Sequence, residues 1–245
     1  MSDERWMMLY RNVFTKPHTF LAVVHVQDAE QALRNVRIAT EGGADGVFLV
    51  KHGPSGPGLD ICYGAVREAF PDVWIGLNWL NLTNEDGLAM MGPSMQGMWV
   101  DHAGVHEDAD RATVYAERFA RLRREWEKKW RSPLILFGGA AFKYQDPVED
   151  LGHVAALTAK YVDVVTTSGD GTGIAPDIGK LEIMKRAIDD HPLANASGTT
   201  SENVHAMKPF VDCFLVSTGI SRINEGFPDE LDPHRVRQLA EALAT

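Results

Sequence analysis

The chain of 245 residues is 44% hydrophobic and 24% charged, a composition that excludes a disordered or fibrous protein. Its 24 Lys and Arg residues against 34 Asp and Glu residues give a formal net charge of −10. Nucleic-acid binding needs a basic surface, so this charge argues against nucleic acid as the main partner. A local basic pocket can still bind a small phosphate ester.

The two cysteines, Cys62 and Cys213, have no paired spacing, so neither a disulfide framework nor a cysteine-based zinc site is predicted. The N-terminal residues Met1–Arg5 include acids and are not followed by an apolar run of signal-peptide length. The longest apolar runs, such as Phe20–Val24, are too short to span a bilayer. We therefore expect a soluble, cytoplasmic protein with no membrane partner.

Eight short apolar runs alternate with amphipathic segments along the whole chain. Continuous apolar runs of four to seven residues are typical of parallel strands that are buried on both faces. The runs are Phe20–Val26, Gly46–Val50, Val73–Leu77, Gly97–Val100, Leu134–Phe137, Val162–Thr166, Leu193–Ala196 and Cys213–Val216.

The segments between the runs predict helices. The first begins after Asp28 and ends at Gly42-Gly43, and the last begins at Asp232-Pro233. The longest lies roughly between Asp108 and Trp130. Its basic residues are interleaved with glutamates, which favours a solvated outer face over a membrane or nucleic-acid surface.

Eight strand-then-helix units predict an α/β fold, a single-domain (β/α)8 TIM barrel spanning residues 1–245. The barrel core would cover about residues 20–245, after an N-terminal extension over residues 1–19. A doubly wound open sheet also alternates strands and helices. The segment after the first run, Val26–Ala29, lacks the glycine-rich dinucleotide fingerprint that many such sheets carry.

Two aromatic segments predict a homo-oligomer. Trp126 and Trp130 lie on the longest helix, and Trp6–Tyr10 lies in the N-terminal extension. Together they give more apolar surface than one barrel must expose, and contiguous exposed patches usually mark subunit contacts.

In a barrel of this type, function resides in the loops that follow the strands. Asp101, His102, Lys143 and Asp170 lie in such loops and are candidates for proton transfer or charge stabilisation. Lys143 can bind a phosphate or, if desolvated, form a Schiff base. No metal or other cofactor is predicted. A divalent metal held by Asp101, His102 and His106 is the alternative for the fourth loop.

The strongest sequence signal is an anion site near the C-terminus. Ser197–Asn203 follows the seventh run and opens a helix, and Ser217–Gly219 follows the eighth. Small residues let the backbone approach an anion, and free N–H groups at a helix start bind phosphate oxygens. The residues predicted to bind the ligand or its phosphate are His25, Asn78, Ser168, Ser197, Gly198, Thr199, Thr200, Ser217, Thr218 and Gly219.

The order of these motifs resembles the BtpA family, barrel proteins named for a role in photosystem I biogenesis. The similar motifs are Val24-His25-Val26, Gly76-Leu77-Asn78-Trp79-Leu80, Phe142-Lys143, Thr166-Thr167-Ser168-Gly169, Ser197-Gly198-Thr199-Thr200-Ser201-Glu202-Asn203-Val204 and Phe214-Leu215-Val216-Ser217-Thr218. The chain departs from the family pattern in three places: Gln27–Glu30 replaces a Pro-rich stretch, Lys51-His52 a Glu-Asn pair, and Ala141 a histidine.

The resemblance implies a barrel with a phosphorylated small-molecule ligand. Because some relatives carry nucleosidase or phosphoribosyltransferase labels, it also implies cleavage or transfer of a C–N glycosidic bond. A Schiff-base lyase or isomerase is the second enzymatic hypothesis. The alternative from another class is a non-catalytic assembly or stability factor, as the family name implies.

Overall fold

The computed structural model describes residues 4–53, 58–108, 111–224 and 227–245, with the main chain only for residues 4–8 and 223–229. Eight parallel strands form a closed barrel in which each strand pairs with the next and the eighth pairs with the first. This confirms the predicted (β/α)8 barrel and excludes an open sheet. The strands are β1 Thr19–His25, β2 Gly46–Lys51, β3 Trp74–Trp79, β4 Gly97–Val100, β5 Ile135–Gly139, β6 Val164–Thr167, β7 Leu193–Asn195 and β8 Cys213–Val216.

Helices connect the strands on the outside of the barrel. They are α1 Glu4–Val13, α2 Ala29–Glu41, α3 Leu59–Ala69, α4 Asn84–Met90, α5 Val114–Trp130, α6 Leu151–Thr158, α7 Ile178–Ile188, α8 Val204–Met207 and α9 Pro233–Ala244. A 3-10 turn, Thr218–Ile220, and an antiparallel hairpin, β9 Ser221–Asn224 with β10 Phe227–Leu231, separate β8 from α9. The Asp28 and Asp232 side chains cap the first N–H groups of α2 and α9, as the sequence predicted.

Alternate strand residues point into the barrel, because successive side chains of a strand face opposite sides. Val23, Phe48, Trp99 and Phe137 belong to the cluster that fills the interior, and the Phe48 and Phe137 rings lie 5.0 Å apart. The other strand residues pack against the helices in a second, larger cluster. This alternation decides which polar residues at the strand ends face the mouth of the barrel.

Helix α1 closes the end of the barrel opposite the strand carboxyl ends. Tyr10 and Phe14 are buried in the interior cluster, and the Tyr10 hydroxyl donates to Thr19 Oγ1 over 2.8 Å. Arg11 pairs with Asp212, which also accepts from Lys185 Nζ over 3.0 Å. The extension is thus part of the packed base of the barrel.

Helix α5 was expected to have a solvated outer face, but the side chains of Arg123 and Trp126 are buried. Arg123 is fully buried and pairs with Asp163 over 2.6 Å. Trp126 is also buried, with its indole N–H donating to the Met91 carbonyl over 3.0 Å, so it cannot serve the proposed subunit contact. Trp130 remains partly exposed, and the side chains of Trp6, Met7 and Met8 lie outside the described residues. The homo-oligomer stays a prediction, to be checked by light scattering.

In the part of the chain that the structure describes, the helices are too short or too polar to cross a membrane.

Candidate functional site

A cavity of about 230 Å³ lies at the mouth of the barrel, where the strand carboxyl ends meet. Its floor is apolar and includes Val23, Val50, Trp99 and Leu215. It brings together nine of the residues predicted from the sequence, namely His25, Asp101, Lys143, Ser197, Gly198, Thr199, Ser217, Thr218 and Gly219. A partly apolar pocket with a few convergent polar groups is the usual form of a small-molecule site.

The loops after β6, β7 and β8 pack main chain against main chain on one side of this cavity. Gly198 has a φ of 64°, and a Cβ on it would overlap the backbone at Ala175 in the loop after β6. A Cβ on Gly219 would overlap the Thr199 carbonyl oxygen. Only glycine allows these two approaches, so the small residues are required for the stacking of the loops.

Gly198 and Thr199 in the loop after β7, and Thr218 and Gly219 after β8, line the cavity. Among the residues that the structure describes, the N–H groups of Gly198 and Thr199 have no hydrogen-bond partner. Those of Thr218 and Gly219 begin the 3-10 turn, where N–H groups have no partner within the turn. We call these four N–H groups the anion cradle.

Thr200 differs from its neighbours in the predicted anion site. Its N–H donates to Asn203 Oδ1 over 2.8 Å, so it is not available to a ligand. The predicted helix start near Ser201 is also displaced, because Thr200–Asn203 form a turn and α8 covers only Val204–Met207. The cradle therefore consists of loop and 3-10-turn N–H groups and lacks the dipole of a long helix.

Lys143 and Asp101 form the charged side of the cavity. Burial lowers the pKa of the Lys143 ammonium, and the negative charge of Asp101 opposes this shift. Burial raises the pKa of the Asp101 carboxyl, against the opposing effects of a hydrogen bond from Asn78 and the charge of Lys143. Asn78 Nδ2 donates to Asp101 Oδ1 over 3.1 Å, so it orients this carboxylate without lining the cavity.

His25 and His52 form an imidazole pair at the same mouth. His52 Nε2 lies 2.8 Å from His25 Nδ1. Burial, with smaller contributions from His52 and Lys143, lowers the pKa of His25 to about 3, and burial and Lys143 also lower the pKa of His52. Both rings are thus neutral at neutral pH, so each can donate or accept a hydrogen bond. The sequence prediction omitted His52, although Val50, two residues earlier, shares its inward face.

Lys143 is fixed by a framework of hydrogen bonds behind it. Its main-chain N–H donates to Ser168 Oγ over 2.8 Å. Lys180 Nζ donates to the main-chain carbonyls of Ala141 and Ser168 over 2.6 and 2.7 Å. Ala141 and Tyr144 both have a positive main-chain φ, of 46° and 66°, which residues other than glycine rarely adopt. Ser168 therefore supports the site from outside the cavity and does not line it.

Two predicted catalytic residues lie away from the cavity. Asp170 is exposed and lies near Lys180, whose pKa is lowered by burial and to a lesser extent raised by the charge of Asp170. His102 follows Asp101 on the opposite face of the chain and lines a neighbouring groove with His106. Within the described ranges, no three His, Cys, Asp or Glu side chains are grouped as metal ligands.

The model of the BtpA family matches residues 143–245. The resemblance to this family is confirmed over that segment. The matched segment contains Lys143 and both loops of the anion cradle, whereas the motifs around His25 and Asn78 precede it. A comparison with curated proteins gives no match to the chain.

Solved structures support the fold. A (S)-3-O-geranylgeranylglyceryl phosphate synthase from Thermoplasma acidophilum, in complex with substrate sn-glycerol-1-phosphate, has a TM-score of 0.64 and 14% identity over 97% of both chains. A phosphoribosyl anthranilate isomerase from Thermus thermophilus has a TM-score of 0.61 and 17% identity, covering 92% of this chain and 98% of its own. A native KDPGal structure has a TM-score of 0.63 and 12% identity, covering 94% and 95%. At these identities the likeness shows the barrel fold.

Proposed function

We propose that this chain is an enzyme that binds a small phosphorylated carbonyl compound and reacts with it through Lys143. The observation that carries the proposal is that one cavity joins the anion cradle to the Lys143–Asp101 pair. A ligand that spans the cavity would place its phosphate on the cradle and its carbonyl carbon beside the amine.

Phosphate binding is supported by the unpartnered N–H groups of Gly198 and Thr199 and by the start of the 3-10 turn at Thr218. Backbone N–H groups that converge in a concave loop form anion sites. The synthase from Thermoplasma acidophilum is described with sn-glycerol-1-phosphate, and a ligand of that class would suit the cradle.

The chemistry proposed for Lys143 is Schiff-base formation. Its neutral amine attacks the carbonyl carbon to give a carbinolamine, which loses water to form an imine. Asp101 donates a proton to the departing hydroxyl and then serves as a base on the substrate. This mechanism needs a desolvated lysine next to a carboxyl group, and burial lowers the pKa of Lys143 as required.

Glycosyl cleavage or transfer is supported less well. Enzymes that cleave glycosidic bonds usually use two carboxyl groups on opposite sides of the bond. Of the described residues that line the cavity, Asp101 alone carries a carboxyl group. The non-catalytic assembly factor remains the alternative from another class, and it predicts neither phosphate binding nor a reactive lysine.

Borohydride trapping tests the reaction. The protein is incubated with dihydroxyacetone phosphate, glyceraldehyde 3-phosphate or ribose 5-phosphate, reduced, and analysed by mass spectrometry. We expect a covalent adduct on Lys143 with at least one of them, and none in Lys143→Met. Lys160→Met changes an exposed lysine on the surface and should keep the adduct. An adduct spread over several surface lysines would contradict a dedicated Schiff-base site.

Calorimetry with inorganic phosphate tests the cradle separately. Thr218 lines the cavity at the start of the 3-10 turn, so Thr218→Asp places a negative charge beside the anion. We expect the Thr218→Asp protein to bind phosphate roughly tenfold more weakly than the wild type, equivalent to about 1.4 kcal/mol. The Thr218→Val protein should keep near wild-type affinity. Equal affinities in both variants would refute the cradle.

A further inference from the structure

A second space opens beside the cavity, between the loops after β4 and β5. This groove has a volume of about 600 Å³, and it shares Asp101, Lys143 and Tyr144 with the cavity. The reactive pair of the proposed function therefore lies in the wall between two spaces. A ligand that fills only the cavity leaves the groove empty.

The walls of the groove are fixed by hydrogen bonds between its two loops. Gln145 Nε2 donates to the Asp101 carbonyl over 2.6 Å, and its Oε1 accepts the Phe142 N–H over 3.0 Å. Glu107 accepts the N–H groups of Glu149 and Asp150 at the start of the next helical segment. Because these bonds join the two loops, the groove is formed before any ligand binds.

His102 lines this groove, and one hydrogen bond sets its tautomer. Its Nδ1 accepts the Gly104 N–H over 2.8 Å, so its proton resides on Nε2. Burial, together with His106 and Arg111, lowers the pKa of His102, which keeps the ring neutral. The His106 ring lies 4.9 Å away, and the exposed carboxylate of Asp146 supplies an acceptor at the rim.

The charge of the groove selects against a second anion. Apart from the reacting pair, the three carboxylates of Glu107, Asp108 and Asp146 line it against one cation, Arg111. A negative lining repels phosphate and carboxylate groups, whereas a neutral imidazole donor at His102 and carboxylate acceptors suit hydroxyl groups.

We propose that the groove binds the hydroxyl-bearing part of the substrate, so that the substrate is a ketose phosphate whose hydroxyl-bearing carbons extend past the carbonyl at Lys143 into the groove. This inference rests on the proposed function. It assigns His102 and Asp146 to substrate selection, apart from the reacting pair.

A graded set of ligands tests the groove. Inorganic phosphate probes the cradle, glycolaldehyde phosphate adds the carbonyl, and fructose 1-phosphate adds hydroxyl groups on the far side of that carbonyl. Two or so additional hydrogen bonds should make fructose 1-phosphate bind roughly tenfold more tightly than glycolaldehyde phosphate. His102→Phe and Asp146→Ala should each remove most of that preference and leave the affinity for inorganic phosphate within about twofold. Asp146 is exposed, so Asp146→Ala should fold and can test the groove even if His102→Phe does not fold.

His205→Phe is the matched control, because His205 is exposed on α8, outside both spaces. Equal binding of the two carbonyl esters, with inorganic phosphate still bound, would overturn the groove assignment and leave the proposed function intact. Tighter binding of 2-aminoethyl phosphate than of fructose 1-phosphate would overturn it in favour of an amine. Absence of any phosphate binding would remove the proposed function and this inference together.

Discussion

Lys143 and Asp101 are held in surroundings that disfavour the charge of each. Burial lowers the pKa of the lysine and raises that of the carboxyl, while each partner's charge limits the shift of the other. The lysine therefore reaches its neutral, nucleophilic form at a lower pH than an exposed lysine does, and the carboxyl keeps its proton to a higher pH than an exposed aspartate. Opposite shifts in neighbouring groups are typical of acid–base sites.

Replacing Asp101 with Asn should move the pH dependence of Lys143 to lower pH. The negative charge of Asp101 raises the pKa of Lys143, so its removal lowers that pKa further. We expect the curve of borohydride-trapped adduct against pH to shift to lower pH, with a smaller maximum because the proton donor is lost. Asp170→Asn, which changes an exposed carboxylate outside the cavity, should leave the curve in place. A shift with Asp170→Asn and none with Asp101→Asn would reverse the two assignments.

One simple rule, which the sequence prediction did not apply, selects the residues that line the cavity. Each inward apolar residue near a strand end is followed two positions later by a residue on the same face. Applied after Val23, Val50 and Trp99, the rule selects His25, His52 and Asp101 and rejects His102. The sequence prediction ranked His102 with Asp101 because it considered proximity along the chain and neglected the pleat.

Three elements converge on the Lys143 loop. The carbonyls of Ala141 and Ser168, from the loops after β5 and β6, both accept from Lys180 on α7. A single ammonium group from a helix thus joins two loops and supports a strained segment between Ala141 and Tyr144. Lys180 is a positioning residue that acts on Lys143 through the loop.

Lys180→Met should reduce adduct formation at Lys143 by roughly tenfold or more, because small misplacements of a reacting group have effects of that size or larger. Restoration of the amine provides the decisive comparison. In Lys180→Cys, alkylation with 2-bromoethylamine rebuilds a lysine-like ammonium, and the two native cysteines are buried. We expect the alkylated variant to regain most of the trapping rate. A rate unaffected by Lys180→Met would show that the loop keeps its conformation without this contact.

The loops after β7 and β8 are joined by a close backbone contact at Gly219. The sequence analysis assigned this glycine to anion binding, whereas a Cβ there overlaps the Thr199 carbonyl oxygen, so the glycine is also required for packing. Gly219→Ala should therefore lower the free energy of unfolding by about 1–3 kcal/mol, as overpacking does. Gly64→Ala, on a helix where an added Cβ meets nothing within 4 Å, is the control in chemical denaturation. Equal stability of both variants would contradict the contact.

The arrangement of these loops could not be read from the sequence. Hydrophobic runs of known period predict the strands and their order, but loop contacts depend on the main-chain angles at single residues such as Gly198 and Ala141. The sequence analysis likewise expected Ser197–Asn203 to open a helix. The Asn203 side chain instead holds the Thr200 N–H in a turn, and α8 begins only at Val204.

The two ends of the barrel hold different groups of polar residues. At the base, Asp212 accepts the Leu193 N–H over 2.9 Å and pairs with Lys185 and Arg11, which links α1, α7 and β7. At the mouth, the described polar residues surround the cavity and the groove. In barrels of this type the base serves stability and the mouth serves function, so variants at the base should alter folding and leave ligand binding unchanged.

His191, which lies at the base, makes the stability of the protein sensitive to acid. Burial, and next the charge of Lys185, lowers its pKa to about 4, whereas in the unfolded chain its pKa is about 6.5. Between these values the unfolded chain binds a proton that the folded chain does not. The free energy of unfolding therefore decreases as the pH falls from 6.5 to 4, and His191 accounts for about 3 kcal/mol of that decrease.

His191→Gln removes that titration, so its free energy of unfolding in urea should fall less steeply from pH 6.5 to pH 4 than that of the wild type. The two curves should converge as the pH falls, because the wild type loses an advantage that the variant never had. Phosphate affinity at neutral pH should be the same in both proteins, since His191 lies at the opposite end of the barrel from the cavity. Parallel curves would mean that the folded protein binds the proton at His191 as readily as the unfolded chain does.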